Sequence, residues 1–189
     1  MRNYNKIKYC RLCNKKKLRK IIDLGNSPIG NNLLKKKELK IEVNKYPLAV
    51  NQCINCGHHQ LSVSVNNMLL YKNNYTYLTG TSPEFRDYLK NYAIKISKKI
   101  NINKKDLVID IGSNDGTLLN YFKKLYKVSV LGIDPSLKPS NIAKQKNIET
   151  INDFFTKKLS ENIKKNYKIP KLITSHNTFA HVKDLDNFF

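Results

Sequence analysis

Leu107-Val108-Ile109-Asp110-Ile111-Gly112-Ser113-Asn114-Asp115-Gly116-Thr117-Leu118-Leu119 decides the fold. Its first five residues are a short apolar run of strand type, two glycines bracket a tight turn, and Thr117-Leu118-Leu119 opens a helix. Outward from this stretch the alternation continues. A helix is expected from Thr117 to Lys124, a strand from Val128 to Ile133, and a helix from Ser140 to Lys146. A short strand follows at Thr150-Ile151, then a helix from Lys157 to Lys165 and a strand from Lys171 to Thr174. Strands alternating with helices imply right-handed crossovers and a mostly parallel sheet covered on both faces. This is the first half of a doubly wound α/β domain, whose ligands sit beyond the carboxyl ends of the strands.

The chemistry of the turn narrows the ligand. Gly112-x-x-x-Gly116 is not the dinucleotide spacing Gly-x-Gly-x-x-Gly, and Asp110 and Asp115 crowd it. Carboxylates there oppose a pyrophosphate but suit the cationic ammonium of a methionine group. Asp134 ends the second strand, where a carboxylate accepts both hydrogens of a ribose diol. Asp153 follows the next strand and is placed to meet an adenine amino group, with Phe154 or Phe155 beside the base. Acids in this order favour S-adenosylmethionine over NAD, with Asp110, Gly112, Asn114, Asp115, Gly116, Asp134, Asp153 and Phe154 as its binding residues. The plainer reading of Asp134 alone is a helix cap.

Toward the amino terminus the pattern changes. Ser82-Pro83-Glu84 reads as a helix start, with a capping hydroxyl, proline at the first helical position and an early carboxylate. The helix should run to about Lys99, with Phe85, Tyr88, Leu89, Tyr92, Ile96 and Ile100 on one stripe. Before it lie all four cysteines, as Cys10-x-x-Cys13 and Cys53-x-x-Cys56. Two such pairs complete a closed tetrahedral site for structural zinc, and Gly57 fits the sharp turn of the second knuckle. With four thiolates satisfying the ion, His58 and His59 are surface or neighbouring residues. A closed site leaves no position for an activated water, so the metal's work is folding.

Composition bounds the rest. The formal charge is +21 over 189 residues, yet the excess is mostly lysine, spread along the chain and accompanied by abundant asparagine and isoleucine. Arginine forks and a basic-aromatic motif are missing, so a dedicated nucleic-acid site is not expected. No stretch approaches the roughly 20 apolar residues of a membrane span, and no apolar signal region follows Met1. The expectation is a cytoplasmic protein with no membrane partner.

Together these segments resemble the zinc-containing S-adenosylmethionine-dependent C-methyltransferases that act on nucleotide-linked keto-deoxysugars. The resemblance is carried by Cys10-Arg11-Leu12-Cys13, Asp23-Leu24-Gly25 with Pro28, Tyr46-Pro47-Leu48, and Cys53-x-x-Cys56-Gly57 with Gln60-Leu61. It continues through Tyr75-x-Tyr77 with Gly80 and Ser82, Ile111 to Leu119, and Asn177-x-x-x-His181-Val182. It implies that a base removes the proton next to a ketone and that the enolate carbon attacks the methyl sulfonium. It places Tyr75 or Tyr77, Asn177 and His181 facing that reaction as catalytic residues. His176 is expected as a donor-pocket or structural residue.

The resemblance also implies later strands, a Tyr-x-Glu-His segment and a carboxyl-terminal domain that do not occur before Phe189. The expectation is therefore an incomplete Rossmann-like methyltransferase sheet (105–189) behind a small zinc-binding domain (1–80) and a linking helix (81–104), in a truncated or split enzyme. A nucleotide-linked sugar is the implied substrate and a separate carboxyl-terminal half a possible partner. The rival readings are a non-catalytic zinc-bearing interaction module, and an RNA methyltransferase that lacks the expected Asn-Pro-Pro-Tyr-type segment.

Overall fold

A computed structural model describes residues 3–72 and 75–188. The chain divides into two compact units, Met1–Asn74 and Tyr75–Phe189. The long helix α1 (Pro83–Ile100) belongs to the second unit and packs on its neighbour α2 (Thr117–Tyr126), so it is part of a domain rather than a linker. The physical reason is its apolar stripe: Leu89 and Ala93 are buried with Leu118, Leu119 and Phe122 of α2. Phe85, Tyr92, Ile96 and Ile100 flank that stripe, whereas Tyr88 turns outward at 54% exposure. Ser82 caps the helix as expected, its Oγ accepting the Phe85 N–H at 3.2 Å, and Asn101 ends it in the left-handed region.

The second unit is a four-stranded parallel sheet in the order β8-β7-β6-β9, built from β6 (Leu107–Ile111), β7 (Ser129–Ile133), β8 (Thr150–Ile151) and β9 (Leu172–Thr174). Alternate residues of β6 serve opposite faces. Val108 joins the cluster under α1 and α2, together with Ala143 of α3 (Leu137–Gln145). Leu107, Ile109 and Ile111 join the other, with Ile163 of α4 (Lys157–Asn166). Strands buried on both faces need continuous apolar runs, which is why β6 and β7 read as they do. After β8 the chain returns to the far side of β6 to form β9. The order therefore reverses between β6 and β9, a switch point of the kind beyond which open α/β sheets bind their ligands.

The first unit holds a three-stranded antiparallel sheet, β2-β3-β4, and a two-stranded pair, β1-β5. The strands are β1 (Tyr4–Lys6), β2 (Leu18–Pro28), β3 (Lys45–Cys53), β4 (His59–Leu61) and β5 (Val63–Val65). Among its described residues the buried apolar side chains are Tyr46, Ala49 and Val63, with Cys10 and Cys53. Gln60 is buried too and stitches the first cysteine knuckle to β4: its Nε2 donates to Tyr9 O at 2.9 Å and its Oε1 accepts from Arg11 N at 2.8 Å. Replacing Gln60 with Leu fills the volume but leaves the Arg11 N–H and Tyr9 carbonyl without those partners. Each such group costs about 1–3 kcal/mol. Chemical denaturation followed on the first unit should show a loss of about 2 kcal/mol or more, and an unchanged midpoint would refute the role.

Among the described residues, no helix is long and apolar enough to cross a membrane.

Candidate functional site

Two sites emerge, one in each unit. In the first, Cys10, Cys13, Cys53 and Cys56 converge with all four sulfurs within 4.8 Å of one another. Cys10 Sγ lies 3.6 Å from Cys56 Sγ, and Cys13 Sγ lies 3.6 Å from Cys53 Sγ. A tetrahedron with Zn–S bonds of about 2.3 Å has sulfur edges of about 3.8 Å, so the cluster has the size of a zinc site. The two knuckles are built alike. Asn14 N–H donates to Cys10 O and Gly57 N–H donates to Cys53 O, and both residues take the left-handed conformation. At position 57 that conformation explains the glycine.

The Lys15 amide is the main influence drawing the Cys13 thiol down to about 6. At Cys56 the His58 amide pulls the other way from desolvation and the three nearby sulfurs, which together push that thiol up to about 12. Forming the first thiolate is easy and forming the last is resisted, and a divalent cation relieves that crowding. His58 and His59 stand outside the sulfur cluster.

The second site lies at the carboxyl edge of the parallel sheet. Asp134, directly after β7, is buried, and its two oxygens are each held by one amide: Asn114 N–H to Oδ2 and Ser136 N–H to Oδ1, both at 2.8 Å. The Ser136 side chain also hydrogen-bonds this carboxylate, and the acceptor capacity left over suits the hydroxyls of a ribose. Burial foremost raises its pKa. Asp110, within β6, is also buried and accepts from Thr174 Oγ1 at 2.8 Å. Burial lifts it to about 7, against the Thr174 hydrogen bond and helped by the charge of Asp134. Two buried carboxylates beside the switch point form an acidic cradle suited to a cationic donor.

The glycine turn has a definite reason. Gly112 has φ +78°, and a Cβ there would fall 2.1 Å from Thr178 Oγ1. The loop after β9 thus occupies the space that any side chain at 112 needs. Gly116, also in the left-handed region, stands at the amino end of α2.

The side chains of Asn114 and Asp115 have partners within the second unit. Asn114 Oδ1 accepts from Thr79 N at 2.8 Å and its Nδ2 donates to Tyr77 O at 3.1 Å. Asp115 accepts from Thr117 Oγ1 at 2.7 Å and from Gly80 N at 3.1 Å, and pairs with Lys146 Nζ at 3.2 Å. Their side chains pin a strap, residues 77–80, to the glycine loop. Arg86 Nη1, donating to Gly80 O at 2.7 Å, holds the strap from α1. Tyr75 lies just before this strap, and its phenol is raised by burial first and by the Asp134 charge second. Tyr77 lies 6.4 Å from Tyr75, ring to ring, and is more exposed.

The remaining expected site residues lie around this centre. Asp153 follows β8, is exposed, and accepts from the Phe154 N–H at 2.8 Å, while Phe154 is half-buried. Asn177 (φ 53°) and His181 are exposed on the loop after β9, the latter in a short turn, Phe179–His181. Sequence reasoning missed Lys146, Arg86 and the hydroxyls of Thr174, Ser175 and Thr178. Ser175 Oγ and Thr178 Oγ1 donate to Ile111 O at 3.0 and 3.2 Å. The run of small hydroxyl residues after the last strand was the available signal.

A four-cysteine metal knuckle in one unit and an open parallel sheet with a buried acidic edge in the other define a zinc-binding protein with a Rossmann-like methyltransferase fold. The chain belongs to the methyltransferase domain family, whose profile matches residues 84–189, and a profile described as a zinc binding domain matches residues 10–71. It is similar to the C-methyltransferase NovU of Streptomyces niveus, at 25% identity over 93% of this chain and 41% of that protein. The chain thus spans about two fifths of that relative's length. Among solved structures it resembles the plantazolicin methyltransferase BpumL in complex with a pentazolic desmethylPZN analogue and SAH, at 20% identity, a TM-score of 0.44, and 58% and 43% coverage of this chain and that one. Magnesium protoporphyrin IX methyltransferase of Synechocystis PCC 6803 with SAH is a further likeness, at 19% identity, a TM-score of 0.32, and coverage of 36% and 34%.

Proposed function

We propose that the chain is the zinc-bearing, donor-binding part of an S-adenosylmethionine-dependent C-methyltransferase whose substrate is a nucleotide-linked keto-deoxysugar. The observation that carries this reading is the pairing of a buried acidic sheet edge with a four-cysteine unit in a chain similar to NovU over 93% of its length. The reaction belongs to the assembled enzyme, in which a carboxyl-terminal half, on the same polypeptide or a separate one, completes the acceptor site. Neither a membrane nor a specific nucleic acid enters this reading, and the cytoplasm is its setting.

The bound donor supplies an electrophilic methyl group on a sulfonium sulfur. Asp134 would hold the ribose hydroxyls through its remaining acceptor capacity, and Asp153 and Phe154 would flank the adenine. Asp110 provides negative charge near the donor's cationic end. On the acceptor side, His181, Tyr75 or Tyr77 takes the proton next to the ketone. Asn177 or the other tyrosine donates to the oxygen where charge develops.

Donor binding should respond to pH through Asp110. Its folded pKa of about 7 lies above the ordinary 3.8, so the folded chain keeps a proton that the unfolded chain has released. Without donor, Asp110 therefore contributes stability at low pH that is lost as pH rises through that window. A cationic donor favours the carboxylate, so affinity should rise with pH and level off above about 7. Titration calorimetry with S-adenosylmethionine is expected to show binding about tenfold weaker at pH 6 than at the plateau, with proton release. No binding at millimolar donor would sink the functional reading, and pH-independent binding would sink the role of Asp110.

A further inference from the structure

We propose that His176 is a donor-binding residue whose Nδ1 hydrogen-bonds the amino-acid end of the methyl donor, an assignment that rests on the donor reading above. His176 stands two residues past β9, at the switch point beside the end of β6. Its Nδ1 is buried and has no hydrogen-bond partner among the described residues. A buried polar atom in that condition asks for an explanation, and it stands at the sheet's carboxyl edge, where open α/β folds bind their ligands.

The imidazole is held in place from several directions. Its ring meets Tyr92 of α1 edge to face at 4.7 Å and 87°. Thr174 is tied to Asp110, Ser175 to Ile111 O, and Thr178 Oγ1 to both Ile111 O and His176 O. The turn that carries the ring is therefore fixed onto β6, the strand that leads into the glycine loop. Burial also lowers the His176 pKa, which keeps the ring neutral and leaves one nitrogen as donor and the other as acceptor.

Strand order says which end of the donor it meets. Asp153 follows β8 and Asp134 follows β7, while His176 follows β9 in the order β8-β7-β6-β9. A donor with adenine over β8 and ribose over β7 brings its amino-acid end across β6 to β9. That end carries an ammonium and a carboxylate, and a neutral imidazole pairs with either. Of the other two buried orphan hydroxyls, Ser97 lies within α1 and Ser113 within the donor loop, where a Cβ built on Gly132 would come 2.5 Å from its Oγ.

The test compares two ligands that differ only in this end. The full chain and its His176→Phe and His176→Asn variants are titrated calorimetrically with S-adenosylhomocysteine and with 5′-methylthioadenosine, which lacks the amino-acid portion. Phenylalanine keeps the ring against Tyr92, and asparagine returns a polar group near the Nδ1 position. His176→Phe should weaken S-adenosylhomocysteine about tenfold or more, as loss of a hydrogen bond to a charged group does. It should leave methylthioadenosine within about twofold, and His176→Asn should recover most of the loss. Equal weakening of both ligands, or of neither, overturns the assignment. So does loss of methylthioadenosine binding in both variants, which would mark the ring as structural. Failure of the unmodified chain to bind either ligand overturns the donor reading itself and is recognised as such.

Discussion

Chelation of metal from the intact chain is expected to unfold the first unit while the parallel sheet of the second stays folded. The asymmetry follows from where apolar burial lies. Among the described residues both hydrophobic clusters, built around Phe122 and Leu119 on one face and Leu131 and Ile133 on the other, belong to the second unit. The first has Tyr46, Ala49 and Val63 besides its fully buried Cys10 and Cys53. A domain of this size with so few buried apolar groups needs a staple. Its strand β2 is exposed along nearly its whole length, so its ladder to β3 gains little from side-chain burial. Binding of zinc by four thiolates is worth about 10–16 kcal/mol in comparable small sites, far more than that unit's own margin.

Hydrogen exchange on the full chain reads both units at once. With chelator, or in a Cys53→Ser variant, the amides of β3 and β4 should exchange as in an unfolded chain. Those of β6 and β7 should keep their protection. Persistent protection of β3 without metal would refute the staple, and simultaneous loss in β6 would show that the units do not fold independently.

What the sequence disclosed followed from local patterns. The run from Leu107 to Ile111, the glycine turn and the change of period at Thr117 suffice for a strand, a turn and a helix, because each is decided by neighbours in the chain. The cysteine pairs are legible for the same reason, since two thiolates on one knuckle need a spacing of three. Helix α3 begins at Leu137 rather than the expected Ser140, because Pro139 lies in the first turn, where an amide has no helical partner to lose. Asn114 and Asp115 are legible as loop residues, but their hydrogen-bond partners are not. Their partners Thr79, Gly80 and Lys146 are 31 to 35 residues away, and only the fold brings them together. The exposed β2 has no period of two to read, because the metal knuckles and its ladder hold it rather than a buried face.

The second large effect is expected at Asp134, where an asparagine should be far more damaging than its size suggests. The carboxylate accepts an amide N–H at each oxygen, from Asn114 and from Ser136. An asparagine offers one oxygen and one NH₂, so whichever way it turns, an amide donor faces another donor in a buried place. Leaving such a group unsatisfied costs about 1–3 kcal/mol. Acceptor capacity proposed for the ribose falls with it, and what remains loses the charge that strengthens it. The donor loop is held to β7 through the Asn114 amide, so the same change loosens the turn that begins α2.

Asp134→Asn should therefore lower the unfolding midpoint of the second unit and weaken S-adenosylhomocysteine by about 100-fold, the sum of a lost charged hydrogen bond and a weakened neighbour. Asp134→Glu keeps the charge but lengthens the arm, and should retain more of the stability than of the affinity. Adenosine reports the ribose contact without the amino-acid end, so its binding should fall by nearly the same factor as that of S-adenosylhomocysteine. Unchanged adenosine affinity in a folded Asp134→Asn chain would reduce Asp134 to its plainer role, the cap that ties the glycine loop to the start of α3.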